Sequence, residues 1–219
     1  MPGSADHPYR HDWQKKKIEC YFGIVMKKLT TVSIGTLDQY QQQRPAIRQA
    51  MIEHKINRRL ALGPNTTLHF EDFMTMKYQV QEIMRAENLR DAESISQELD
   101  AYNPLIPDGS NLKCTFMIEF PEEQERRQQL KTLVNLEHQV FIQIEGFDAV
   151  APIADEDLER STTHKTSAVH FMRYEFTPYM IAAAKSGAPW AVFSTHPAYL
   201  HKVVPLPENI RNSLCKDFN

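Results

Sequence analysis

The sequence predicts an α+β protein of a single domain, with a largely antiparallel mixed sheet packed with helices, helix-rich in its N-terminal half and strand-rich in its C-terminal half. Three observations lead there. Phe73, Met76, Val80, Ile83 and Met84 recur at the spacing of one helix face. Leu112, Cys114, Phe116, Ile118 and Phe120 alternate as a strand with one buried side. The strand patterns after Val140 are joined by breaks too short for helical crossovers, which favours antiparallel neighbours.

Residues 1–25 carry no clear period, and Met26-Lys27-Lys28-Leu29 has the form of an ordinary protein start. Residues 1–25 are therefore read as a flexible N-terminal extension and 26–219 as the domain. Thr36 caps a short helix that stops at Arg44-Pro45. Pro45 suits the first turn of a second helix, with Ile47, Ala50, Met51 and His54 on its apolar face and an end near Asn57. Gly63-Pro64-Asn65 joins Leu60–Leu62 and Thr66–Phe70 into a hairpin.

The strongest helix covers Phe73 to Glu87, and Glu87 falls on its apolar stripe when projected at about 100° per residue. Asp91 caps a further helix buried through Ala92, Ile95, Leu99 and Tyr102, and Asn103-Pro104 ends it. The alternating strand after it turns Lys113, Thr115, Met117 and Glu119 away from its apolar face. Pro121, then Glu122, Glu123 and Glu125, then Arg126, Arg127 and Lys131, is a charge order that complements a helix dipole as far as about Leu136. Strands follow at Val140–Ile144, Ala149–Ile153, Ser167–Phe176, Trp190–Thr195 and Tyr199–Val204, with helices at Pro178–Lys185 and Pro207–Phe218.

Composition removes several function classes. With 25 basic and 28 acidic residues the net charge is -3, which gives no electrostatic reason to expect a long nucleic-acid footprint and leaves only a local basic patch at Lys55, Arg58 and Arg59 as a minor third reading. Cys20, Cys114 and Cys215 are widely spaced with no Cys-x-x-Cys pair, which argues against a disulfide framework or a sequence-local zinc site and fits a reducing, cytoplasmic setting. No run approaches the roughly 18 apolar residues that span a bilayer, so no membrane insertion is expected. The seven glycines form no phosphate-cradling loop, and neither His-Glu-x-x-His nor Gly-x-Ser-x-Gly occurs. Any catalytic set must be assembled from distant segments. Oligomeric state is left open.

Glu87 is the first candidate, because a carboxylate on an apolar stripe near a helix C-terminus suffers both desolvation and an unfavourable dipole. Its bland reading is an ion pair with Arg58, Arg59 or Arg173, or a helix end that frays into water. Glu82 and Arg85 lie on the polar side of that helix, where solvation is the default and binding an anion or a metal the alternative. Glu119 sits at a strand end as an edge charge or a ligand. His170 shares an apolar sheet face with Ala168, Met172, Tyr174 and Phe176, the setting of a hydrogen-bonded core histidine. His196-Pro197-Ala198-Tyr199 forms a turn whose His196 and Tyr199 can line a pocket mouth. His69, His138, His196 and His201 bind a metal only if three or four groups converge.

Arg58-Arg59-Leu60-Ala61-Leu62-Gly63-Pro64 with Thr67 and Phe70-Glu71, followed by Gln81-Glu82-Ile83-Met84-Arg85-Ala86-Glu87, resembles the domain of unknown function 3501 family. Tyr102-Asn103-Pro104-Leu105-Ile106-Pro107, Phe116-Met117-Ile118-Glu119-Phe120-Pro121, Ser167-Ala168-Val169-His170-Phe171 with Arg173, and the His196 turn are similar to its later motifs, in order. The resemblance runs from about Lys28 to Phe218 and carries no established activity. It implies a link to redox or oxidative-stress metabolism, since members are often encoded near rubrerythrin-like and iron–sulfur oxidoreductase proteins. The family often has Gln where this chain has His170, which weighs against a metal role there. Arg85, Glu87, Asn103, Glu119 and His196 match the motifs and, with Tyr199, form the candidate pocket. The reading that follows is an accessory or ligand-binding protein of a redox pathway. The alternative is a metal-dependent enzyme whose carboxylate, His and Arg groups converge.

Overall fold

The computed structural model of the chain describes residues 28–219; the expected extension over 1–25 lies outside them. Its elements are α1 (Thr31–Ile34), α2 (Leu37–Ile56), β1 (Arg59–Ala61), β2 (Thr66–Glu71), α3 (Phe73–Glu87), α4 (Ala92–Tyr102), β3 (Asn111–Ile118), α5 (Glu123–Thr132), β4 (Val140–Ile144), β5 (Ile153–Ala154), β6 (Val169–Glu175), α6 (Pro178–Lys185), β7 (Trp190–Ser194), β8 (Lys202–Val203) and α7 (Glu208–Leu214). Short 3-10 turns occupy Asn103–Leu105, Leu136–His138 and Cys215–Asp217. The α+β class and its antiparallel pairing stand, but the strands form two sheets rather than one. The first has the order β1-β2-β3-β6-β5 and the second β4-β7-β8, and every strand pairing within each sheet is antiparallel.

The two sheets enclose the main core. Leu68, Phe70, Leu112, Cys114, Phe116, Met172 and Tyr174 from the first sheet meet Val140, Ile142, Ile144, Trp190 and Val192 from the second. The first sheet's other face looks toward a helical layer with its own smaller core of Ile34, Leu37, Met76, Val80, Met84, Leu99 and Ile106. The alternation along β3 therefore separates two environments: a dry sandwich on one side and a helix-covered, more polar space on the other.

Four local features differ from the sequence reading. The break expected at Arg44-Pro45 is absent, and α2 runs unbroken for 20 residues with Pro45 inside it. Pro45 is solvent-exposed, so the carbonyl that loses its N–H partner is hydrated while Tyr40 and Met51 hold the helix from its buried side. Helix α5 stops at Thr132, with Asn135 left-handed at φ 67, so the run expected to Leu136 ends early. The strand expected at Ala149–Ile153 reduces to a Val150–Ile142 bridge and the two-residue β5. The strand expected at Tyr199–Val204 reduces to β8, because the Tyr199 side chain is committed to another loop.

That commitment fixes the β1–β2 hairpin. Tyr199 Oη donates to the Leu62 carbonyl and accepts from Asn65 N–H, both at 2.9 Å. Gly63 has φ +73, and a Cβ there would lie 2.6 Å from the His201 ring, so the turn needs glycine for both backbone and space. A second anchor ties the C-terminus to the first sheet. Arg58, only 2% exposed, donates to the Phe70 and Glu71 carbonyls and to the Asp217 carboxylate, and its Nε lies 3.4 Å from Asp72.

Candidate functional site

The first sheet's outer face presents His69 and Glu71 from β2, Lys113, Thr115 and Met117 from β3, and Phe171 and Arg173 from β6. Register sets them in rows across the sheet: His69 faces Thr115 and Thr115 faces Phe171, while Glu71 faces Lys113 and Lys113 faces Arg173. Helices α3 and α4 stand off this face and leave a cleft of two chambers. The larger, about 760 Å³, lies among Glu71, Tyr102, Leu105, Lys113, Phe171 and Arg173. The smaller, about 360 Å³, lies among His69, Met76, Gln79, Tyr102, Thr115 and Met117. Glu71, Tyr102, Leu105 and Phe171 border both.

Most charges around the cleft are already engaged. Lys113 Nζ donates to the carbonyls of Pro104 (2.6 Å) and Ile106 (3.0 Å), and burial depresses its ammonium below the usual lysine value. Arg173 is paired with Glu156 and Glu175, and the Arg160 guanidinium holds Asp157 below the usual carboxylate range. Among the sheet residues that line the cleft, two groups are left over. Glu71 Oε1 accepts only the Thr115 hydroxyl, at 2.8 Å. His69 Nε2 is buried with no hydrogen-bond partner. Burial and, after it, the nearby Arg59 charge lower the His69 pKa, so its ring stays neutral at neutral pH. A buried polar atom without a partner costs stability, and here it belongs to a side chain that lines the smaller chamber.

A second polar grouping lies between the two sheets. Glu137, Asp155 and His170 bring ligand-type atoms within 4.8 Å of one another. Each of them is already bonded internally. His170 Nδ1 meets Asp155 at 2.6 Å and Nε2 meets the Thr166 hydroxyl at 2.9 Å, while Ser161 and Thr166 donate to the two Glu137 oxygens. Asp155 also accepts from Phe171 N–H and is reached by Arg160. The network pins the 155–166 segment onto β6, and His170 is the hydrogen-bonded core histidine its alternation implied.

Of the six residues singled out from sequence, Asn103 alone borders one of the cavities beside the first sheet. Glu87 is exposed, because α3 ends there and Asn88 turns left-handed at φ 52, carrying the last turn beyond the neighbours that bury Met84. It has no ion pair with Arg58, Arg59 or Arg173 among the described residues; Arg58 serves Asp217 and Asp72 instead. The carboxylate that the helix does commit is Glu82, bonded by Arg44 at 2.7 Å and by Tyr40 and Arg85. Arg85 is thus a surface partner of Glu82. Asn103 holds the Leu29 backbone through both its N–H and its carbonyl, and its other side borders a cavity adjoining the larger chamber.

Glu119, His196 and Tyr199 are neighbours at the hairpin end. Asn65 bridges the Glu119 backbone and Tyr199, and Glu119 accepts from the Thr67 hydroxyl at 2.6 Å. His196 is buried, with Nε2 on the Val134 carbonyl and Nδ1 accepting Ala198 N–H, so its nitrogens are spent on a turn. His69, His138, His196 and His201 do not form a metal grouping among the described residues. Sequence reasoning passed over Glu71, Thr115, Phe171 and Tyr102 as site residues. The available signal was the polar face of β3, which is unusual for a strand covered by helices.

The sequence model of a family described as "Protein of unknown function (DUF3501)" matches residues 28–218. A crystal structure of a protein of unknown function from Burkholderia pseudomallei superposes with a TM-score of 0.83 at 41% sequence identity, covering 88% of this chain and 100% of that one. No curated protein matches. No helix of the described residues is long and apolar enough to cross a membrane.

Proposed function

We propose that this chain, which belongs to the DUF3501 family of proteins of unknown function, is a ligand-binding protein whose site is the cleft between the first sheet and α3–α4. The observation that carries this reading is His69, a residue of the smaller chamber's lining whose buried Nε2 has no hydrogen-bond partner. Cavities of several hundred Å³ with a mostly apolar lining and a few directed polar groups are the usual form of small-molecule sites. Here Phe171, Tyr102, Leu105 and Met76 supply the apolar lining, with His69, Glu71 and Thr115 as the directed groups.

Indole tests the site, since it is neutral, flat and small enough for either chamber. Methionine-methyl NMR of the full chain should show Met76 and Met117, which border the smaller chamber, shifting first as indole is added. Shifts elsewhere with both methyls still, at millimolar indole, refute the cleft as the site. The setting we propose is cytoplasmic and redox-linked, beside a rubrerythrin-like or iron–sulfur oxidoreductase protein; that part rests on the family resemblance alone. Co-purification from native cells at native expression levels tests it, and recovery without any oxidoreductase removes it.

A further inference from the structure

We infer that the ligand of this cleft is an amphipathic amine carrying a second hydrogen-bond donor, a conclusion that rests on the ligand-binding reading and adds the chemical class. The charge inventory points to it. Of the cations that border the two chambers, Lys113 is held by two carbonyls, Arg173 by two carboxylates, Arg58 by Asp217 and two carbonyls, and Lys55 lies over the Tyr78 ring. Glu71 borders both chambers and receives a single neutral hydroxyl. A carboxylate in a half-covered cleft gains most from a charged donor brought by the ligand. Asp100 on the rim of the larger chamber adds to the negative potential that such a cation meets on entry.

The second donor follows from geometry. His69 and Glu71 are two residues apart on one strand face, so their side chains leave the sheet about 7 Å from each other. Turned toward the chamber that His69 lines, a neutral imidazole presents its free Nε2 lone pair, which is matched by an N–H or O–H of the ligand. The ligand therefore places an ammonium at Glu71 and a second donor at His69, with its apolar body between Tyr102, Leu105 and Phe171. Aromatic rings beside the ammonium add cation–π attraction.

Tryptamine has this arrangement, and indole-3-propionate keeps the ring while reversing the charge. Titrating each into the full chain, followed at the Met76 and Met117 methyls, should give tryptamine at least a tenfold lower Kd than the acid. Glu71→Gln should erase that preference while indole still shifts the two methyls, and His69→Phe should weaken tryptamine with the preference for amine over acid retained. If the acid binds as well as the amine at these methyls, the ligand class is wrong and the cleft stands. If indole, amine and acid all leave the methyls unmoved, the site itself fails.

Discussion

Replacing Arg58 with Met should destabilise the protein by about 3–5 kcal/mol, the range for removing one partner from a buried ion pair. The structure gives the reasons for expecting the upper half of that range. The side chain is 2% exposed and donates to the Phe70 carbonyl at 3.0 Å, to the Glu71 carbonyl at 2.9 Å and to Asp217 at 2.5 Å, all of which lose a charged donor together. Methionine fills most of the volume and restores none of these bonds. For a chain of this length, roughly 2–4 °C of melting temperature accompanies each kcal/mol, so the midpoint should fall by about 8–20 °C.

The loss should also depend on pH. Burial pushes the Asp217 carboxyl up to about 6 from 3.8, with Arg58 partly offsetting the shift. An acid whose folded pKa is raised binds its proton more tightly when folded, so it contributes stability at low pH that is lost as pH rises from 3.8 through about 6. Without Arg58 this penalty grows at neutral pH, and the deficit should be larger at pH 7 than at pH 5. Urea unfolding of wild type, Arg58→Met and Arg58→Met with Asp217→Asn measures it, and the added Asn should recover part of the loss at pH 7. A deficit below about 1 kcal/mol, or no recovery with Asn, refutes the account of Arg58 as the charged anchor of the C-terminal turn.

Glu82→Gln should flatten the acid limb of stability. The Arg44 guanidinium, with Tyr40 and Arg85 assisting against desolvation, holds the Glu82 carboxyl down to about 2 from 4.5, so its contribution is complete above pH 4.5 and is lost as pH falls through 2. Melting curves from pH 2 to 7 that stay parallel for variant and wild type would count against this. Tyr199→Phe removes the hydroxyl that serves both Leu62 and Asn65 and should cost about 1–3 kcal/mol at unchanged m-value; an unchanged urea midpoint refutes the hairpin lock.

Features written in short-range spacing were legible without the structure. The 3.6 period over Phe73–Met84 and the twofold alternation over Leu112–Ile118 each reappear as α3 and β3, because those patterns require only that neighbouring turns or pleats share one apolar side. The family was also legible, since its motifs are contiguous runs of residues. Tertiary structure alone decided where the helices stop relative to what covers them, which is why Glu87 projects onto a buried stripe yet stands in solvent while Glu82, placed on the polar side, is clasped by α2. It alone decided that Pro45 could sit inside a long helix, because only the packed neighbours reveal that its face is wet. The cleft belongs to this second kind of information. His69, Thr115 and Phe171 are 46 and 56 residues apart in succession, and nothing in their spacing joins them until the register of β2, β3 and β6 sets them in one row beneath two helices.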